Sequence, residues 1–285
     1  MKINPTNTVT IPSASTPINT AGIAASAGSS TTNSTQKTIR LKIKRQEGPE
    51  AKPYFEEFAI PYRPRMNVVS CLMEIRKHPV TAQGKQTAPV VWESVCLEEV
   101  CGACSMIING IPRQACSALV DSLKQPICLE PLSKFPLVRD LKVDRTKLFD
   151  ALKRIHGWID IDGPFDLGPG PRMAERKRRW AYELSKCMTC GCCYEACPNC
   201  NTRNEFMGPH AISQVRLFNA HPTGAMNKEV RLSALMGADG ITSCGNAQNC
   251  VRVCPKEIPL TTSIAHMNRE TFKQSLKNVF GGFEG

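Results

Sequence analysis

The first 38 positions show no hydrophobic period: Ser, Thr, Asn, Ala and Pro dominate, with almost no charge and few large apolar groups. Such a segment cannot bury enough surface to offset its ordering entropy, so residues 1–38 are predicted to be a disordered tail. The pattern begins at Ile39. TIRLKIKRQ alternates Ile39, Leu41 and Ile43 with basic residues, the period of a half-buried strand. Gly48-Pro49 predicts a turn and FEEFAIPYR a returning strand. In NVVSCLMEIRKHP the positions Val69, Leu72, Met73 and Ile75 recur at helical spacing, and Pro79 stops the run. SMIINGIPRQACSAL predicts a hairpin turning on Asn109-Gly110, followed by a short strand over 126–131. Residues 39–140 therefore read as a small α+β domain.

Beyond Asp140 the strand signals fade and the period becomes helical. DRTKLFDALKRIHGWI, MAERKRRWAYELSKC, GPHAISQVRLFNAH and IPLTTSIAHMNRETF are predicted helices, the first two separated by the Gly/Pro-rich loop DGPFDLGPGP. Residues 141–285 thus form a predicted mostly α domain whose cysteine-rich knots lie on loops between helices. Asp160, Asp162 and Asp166, beside Gly and Pro, are expected to make turns rather than acid–base chemistry.

Charge and cysteine content change this picture. The 285 residues carry a formal net charge of +11, which points toward nucleic acid or an anionic surface. Arg172, Arg176, Lys177, Arg178 and Arg179, just before Trp180, could set one basic helical face against phosphates, so a zinc-stabilised nucleic-acid-binding module is the competing class. A solvated or subunit-docking helix is the preferred reading of that run, with no nucleic-acid partner. The fifteen cysteines carry more information. They fall into knots at 96–116, 187–200 and 244–254, with Cys71 and Cys128 apart. An odd total with C-x2-C spacings argues for metal-holding thiolates in a reduced compartment and against a disulfide framework. No secretory leader pattern heads the chain, and no run of about eighteen apolar residues predicts a membrane span. With eleven cysteines on three oxidised clusters of roughly −2 each, the net charge falls to about +5, so the basicity largely offsets anionic cofactors.

Cys96, Cys101, Cys104 and Cys116 follow C-x4-C-x2-C…C, the spacing of plant-type [2Fe–2S] ferredoxins. Three thiolates must converge from one wrapped loop, and Gly102 and Ala103 keep that loop small. Structural zinc more often takes paired C-x2-C knuckles. Cys187, Cys190, Cys193 and Cys197-Pro198 form C-x2-C-x2-C-x3-C-P, the bacterial ferredoxin run, in which the fourth cysteine serves the other run's cluster. The partner run is Cys244, Cys250 and Cys254-Pro255, with Ala247 at the remaining template position. The expected sets are therefore Cys187, Cys190, Cys193 and Cys254 for [4Fe–4S], and Cys197, Cys244 and Cys250 for [3Fe–4S]. Cys192 and Cys200 fall outside the template and are expected to be spectators. His210 and His221 are expected to be ordinary satisfied or surface histidines.

Plant-type and bacterial-type modules in this order resemble the iron–sulfur subunit of succinate dehydrogenase and fumarate reductase. WIDIDGPFDLGPGPRMAERKRRWAYELSKCMTCG, GPHAISQVRLFNAHPTGAMNK and CPKEIPLTTSIA look like the menaquinone-linked succinate dehydrogenases of Gram-positive and related bacteria. The resemblance spans 39 to about 270. It implies a β-grasp [2Fe–2S] domain followed by an α-helical domain with [4Fe–4S] and [3Fe–4S] clusters. It also implies electrons delivered from FAD in a flavoprotein partner and passed to quinone at a haem b and quinone-binding membrane anchor. The chain would sit peripherally, through its partners, on the cytoplasmic face of the bacterial inner membrane. A fumarate reductase running the reverse direction is the alternative. The dicarboxylate site would belong to the flavoprotein, in keeping with the lack of a G-x-G-x-x-G fingerprint here. Ubiquinone-reducing relatives carry a tryptophan pair and a histidine where this chain has Asn201, Thr202 and Gly245, which favours menaquinone.

Overall fold

The computed structural model describes residues 37–160, 172–201, 203–204 and 206–280. The predicted tail up to residue 36, the whole Gly/Pro-rich loop with Asp162 and Asp166, and Thr202 lie outside the described residues.

The first half is a mixed five-stranded sheet built from β1 (Thr38–Arg45), β2 (Tyr54–Pro61), β3 (Ser105–Ile108), β4 (Ile111–Gln114) and β5 (Ile127–Glu130), in the order β2-β1-β5-β3-β4. β1 starts at Thr38, so the last residue of the predicted tail belongs to the strand. β1 pairs antiparallel with β2 and parallel with β5, with Leu41 opposite Ile127 and Ile43 opposite Leu129. β3 and β4 form the hairpin expected at Asn109-Gly110, where both residues take positive φ. Helix α1 (Val68–Lys77) is capped by Asn67, whose side chain accepts from the Ser70 amide at 2.8 Å. Its buried Val68, Val69, Leu72 and Ile75 pack with Ile39, Leu41 and Ile43, the inward positions of β1. That is an α+β sheet grasping one helix.

The inward series of β1 ends on an arginine, not an aliphatic residue. Arg45 is buried with Asp140, its Nε donating to Asp140 Oδ1 at 3.0 Å, and it also pairs with Glu56. Asp140 accepts from the Gln46 and Val91 amides as well, at 3.1 and 2.9 Å. The pair therefore fastens the end of β1 to the chain that leaves the sheet.

The second half begins with a small hairpin, β6 (Leu137–Arg139) and β7 (Lys142–Val143), then turns helical. β7 lies past the position where strand signals fade, because its two residues are too few to show a period. The helices are α2 (Thr146–Arg154), α3 (Glu175–Ser185), α4 (Cys192–Ala196), α5 (Pro209–Ala220), α6 (Lys228–Leu235), α7 (Asn249–Arg252) and α8 (Leu260–Phe280). Helix α5 is the centre of this half, buried through most of its length. Leu132 and Phe135 already pack into this second core, whereas Leu141 packs into the first. Arg231 of α6 is fully buried and donates to the carbonyls of His156, Trp158 and Gly224, which ties α6 to the chain after α2.

One organisational expectation is corrected. The cysteine knots do not lie wholly on loops: α4 and α7 are short helices within them, holding Cys192, Cys193 and Cys250. Helices of one turn are too short to register in a hydrophobic pattern.

Candidate metal centres

The 96–104 loop is bent by positive φ at Leu97, Glu99 and Gly102. A side chain in that conformation costs about 1–2 kcal/mol, so Leu97 and Glu99 adopt it only where something compensates. Here the bend turns amides toward sulfur. Cys96 Sγ accepts from the amides of Glu98, Val100 and Cys101 at 3.4, 3.3 and 3.3 Å, and Cys101 Sγ accepts from Ala103 at 3.4 Å. Those donors, the Glu98 amide foremost, hold the Cys96 thiol down to about 6. Cys104 is buried at the foot of β3, and burial pushes its thiol up to about 12. Cys116 follows β4 on the same hairpin, with its thiol in hydrogen-bonding reach of Cys104. A loop that aims amides at sulfur suits thiolates carrying extra negative charge, as in an iron–sulfur site.

Cys187, Cys190, Cys193 and Cys254 line one cavity of about 380 Å³, open solvent included, with Gly191, His210, Pro255 and Ile258. Cys197, Cys244 and Cys250 line a second of about 320 Å³, with Ala247, Gly245 and Asn249. The two short helices explain this division. Cys193 lies within α4 and Cys197 just past its end; Cys250 lies within α7 and Cys254 beyond it. The Asn249 side chain donates to the Ala196 carbonyl at 3.1 Å, and Asn199 donates to the Ser243 carbonyl at 2.7 Å, so the two runs are stitched side by side. Ala247 presents only a methyl group to its cavity. Among the described residues no three His, Cys, Asp or Glu side chains close on a point that suits a single metal ion. All fifteen cysteines are free thiols.

Burial raises the thiols of Cys187, Cys193 and Cys254, and Cys250 to about 11. Two thiols go the other way, and each has a cysteine donor. Cys190 is held at about 7, chiefly by the Cys192 thiol, and Cys197 at about 6, chiefly by the Cys200 thiol. Cys192 and Cys200, the two expected spectators, are both fully buried against these partners. Cys71 lies in the first core, where burial pushes it to about 12.

His210, expected to be an ordinary residue, lines the first of the two cavities. Its Nε2 lies 3.3 Å from the Leu148 carbonyl and so carries the proton, which leaves Nδ1 buried without a partner. Burial pushes the ring down to about 4, so it is neutral at pH 7. His221 is satisfied locally by Thr223 and the Gly224 amide. Asp160 serves a turn, accepting from the Trp158 ring at 2.7 Å. In α3, Arg178 pairs with Glu175 at 2.6 Å, and Trp180 stacks under Arg216 at 4.4 Å, so the basic run is partly consumed within the protein.

Residues 40–150 match the 2Fe-2S iron-sulfur cluster binding domain family, and residues 183–258 the 4Fe-4S dicluster domain family. The chain is 64% identical over 248 residues to the succinate dehydrogenase iron-sulfur subunit of Bacillus subtilis, covering 87% of this chain and 98% of that one. The chain belongs to the succinate dehydrogenase and fumarate reductase iron–sulfur subunit family. A more distant member, the fumarate reductase iron-sulfur subunit of Wolinella succinogenes, is 30% identical over 236 residues, covering 82% and 96%. In fold, the chain is similar to a chain of the Mycobacterium smegmatis Sdh1 complex in the apo form, with a TM-score of 0.68 at 22% identity, covering 84% and 97%. Membership makes this chain an iron–sulfur oxidoreductase subunit, with a [2Fe–2S] domain ahead of a 4Fe–4S dicluster domain.

Proposed function

We propose that this chain is the electron-transfer subunit of a succinate:quinone oxidoreductase working toward succinate oxidation. Electrons enter from FAD in a flavoprotein partner and leave to quinone, menaquinone by preference, at a membrane anchor that binds quinone and haem b. The ligand sets are Cys96, Cys101, Cys104 and Cys116 for [2Fe–2S], and Cys187, Cys190, Cys193 and Cys254 for [4Fe–4S]. Cys197, Cys244 and Cys250 hold [3Fe–4S], where Ala247 supplies no fourth thiolate. Bound clusters would supply one-electron carriage, and the protein supplies their spacing, burial and sulfur hydrogen bonds. The domains behind this division are 39–140 and 141–285, after the 1–38 tail.

The observation that carries the proposal is the contiguity of the three cysteine sets. A Cβ at Gly102 would lie 2.8 Å from Cys190 Cβ, so the first ligand loop touches the second. Cys193 within α4 and Cys197 just past its end then join the second set to the third. No helix among the described residues is long and apolar enough to cross a membrane. In this reading the chain attaches through the anchor, on the cytoplasmic face. Asn201 and Gly245, where ubiquinone-reducing relatives carry larger ring side chains, support menaquinone.

The test is EPR of the assembled complex, oxidised and then reduced with succinate. A three-iron signal in the oxidised protein and a two-iron signal after succinate are expected. An oxidised protein without the three-iron signal would remove the ligand assignment. Failure of succinate to reduce centres that fumarate readily reoxidises would favour the reverse direction, which the Wolinella relative's name makes the second reading.

A further inference from the structure

We propose that Gln114 and Cys192, buried side by side between the ligand loops of the first two clusters, each donate a hydrogen bond to a ligand sulfur and so raise the potential of the cluster each one faces. The inference rests on the ligand sets proposed above and goes one step beyond them.

Gln114 ends β4 and is 0% exposed, as is Cys192 at the start of α4. A buried carboxamide must satisfy both its ends, and this one does so toward two different clusters. Its Oε1 lies 3.4 Å from Cys104 Sγ, which donates its thiol proton. Its Nε2 donates to Ser105 Oγ at 2.7 Å and toward Cys192 Sγ at 3.8 Å. Ser105 Oγ in turn donates to the Gly102 carbonyl at 2.7 Å, which also accepts from Arg145 at 2.5 Å. The Cys192 thiol faces Cys190 on its other side. The result is a continuous chain, Cys104–Gln114–Cys192–Cys190, that starts at a ligand of one set and ends at a ligand of the next.

Iron binding reverses the polarity of this chain at its first link. Cys104 as an iron thiolate has no proton to give, so Oε1 would face sulfur lone pairs in a dry site. The carboxamide can turn over within the same volume. Nε2 then donates to Cys104 Sγ and Oε1 accepts from the Ser105 hydroxyl, which leaves the Gly102 carbonyl to Arg145, while the Cys192 thiol keeps its single proton for Cys190. Reduction places more negative charge on the thiolate sulfurs and strengthens a donor hydrogen bond to them, so such a donor favours the reduced state. An apolar residue at position 114 would fill the space without this effect.

The measurement is a potentiometric EPR titration of all three centres in the assembled complex. With Gln114→Leu, the two-iron midpoint should fall by about 59 mV, a tenfold change in its one-electron equilibrium, while the three-iron midpoint stays put. Cys192→Ala should lower the four-iron midpoint, and Cys192→Ser, which keeps a donor, should restore most of it. The double variant should show both single shifts in full, one in each centre, because the two donors serve different clusters. An unchanged two-iron midpoint in Gln114→Leu with full iron content would overturn the proposal, as would identical shifts for Cys192→Ala and Cys192→Ser. Should Gln114→Leu fail to assemble, the two Cys192 variants decide alone. Failure of the ligand assignment looks different: Cys104→Ser would leave the native two-iron spectrum unaltered.

Discussion

Gly102 offers a quantitative check on how closely the first two ligand loops approach. Two separate costs attach to Gly102→Ala. The residue sits at φ +73°, where an L side chain costs about 1–2 kcal/mol. The added methyl would also lie 2.8 Å from Cys190 Cβ and 2.9 Å from Cys190 Cα. Carbon atoms pack at about 3.5–4.0 Å, so the loops must part by roughly 0.7–1 Å, and overpacking of this kind costs about 1–3 kcal/mol. The sum is about 2–5 kcal/mol, or on the order of 4–20 °C in thermal midpoint for a chain of this size. Gly110 provides the control. It has φ +81° with nothing within 4 Å of the added methyl, so Gly110→Ala bears the backbone cost alone, about 1–2 kcal/mol. Gly48 has neither feature, and Gly48→Ala should leave the midpoint where it is. The assay is thermal bleaching of the iron–sulfur absorbance in the three variant complexes. Equal shifts for Gly102→Ala and Gly110→Ala would refute the close approach of Gly102 to Cys190. In the same Gly102→Ala complex, electron passage from the two-iron to the four-iron centre should be slower, which rapid-freeze EPR would register.

Ala247→Cys should add a fourth thiolate to the Cys197, Cys244 and Cys250 cavity and convert a three-iron centre into a four-iron one; iron analysis and EPR showing an unchanged three-iron signal would contradict the ligand set. Cys254→Ser should abolish the four-iron signal and spare the three-iron one, although Cys254 lies in the downstream knot, whereas Cys197→Ser should do the opposite. If each variant lost the signal of its own run, the crossed assignment would be wrong. Arg45→Met leaves Asp140 buried, and Glu56 partly buried, without their cation and should destabilise the first domain by about 3–5 kcal/mol, read from urea unfolding. A loss below 1 kcal/mol would show that the pair holds little.

The chemistry of the chain was legible in its linear order because iron–sulfur ligands are held by local loops, and a loop's geometry follows from spacing. C-x4-C-x2-C marks the 2Fe-2S domain and C-x2-C-x2-C-x3-C-P the 4Fe-4S dicluster domain that the family matches found. Strands with a strict period, such as the one carrying Ile39, Leu41 and Ile43, were equally readable, since a half-buried face leaves its mark at every second position. The helices of 141–285 were readable as to type. Their ends were less so: α8 runs on to Phe280, past the end of the stretch read as helical, and α2 stops at Arg154, before the end of its stretch. Side-chain caps and packing decide such ends more than period does.

What tertiary structure alone decided is which residues from separate loops face each other. Arg45 extends an inward-facing series and looks like a strand end until Asp140 and Glu56 arrive from 95 and 11 positions away. Gln114, Cys192 and His210 carry no motif, and their significance lies in being buried beside ligand cysteines with their polar atoms aimed at sulfur or at a cavity. The spacing of cysteines along each run is recorded in the sequence. The surroundings that adjust it depend on contacts between loops far apart in the chain, which exist only once the two cores have packed.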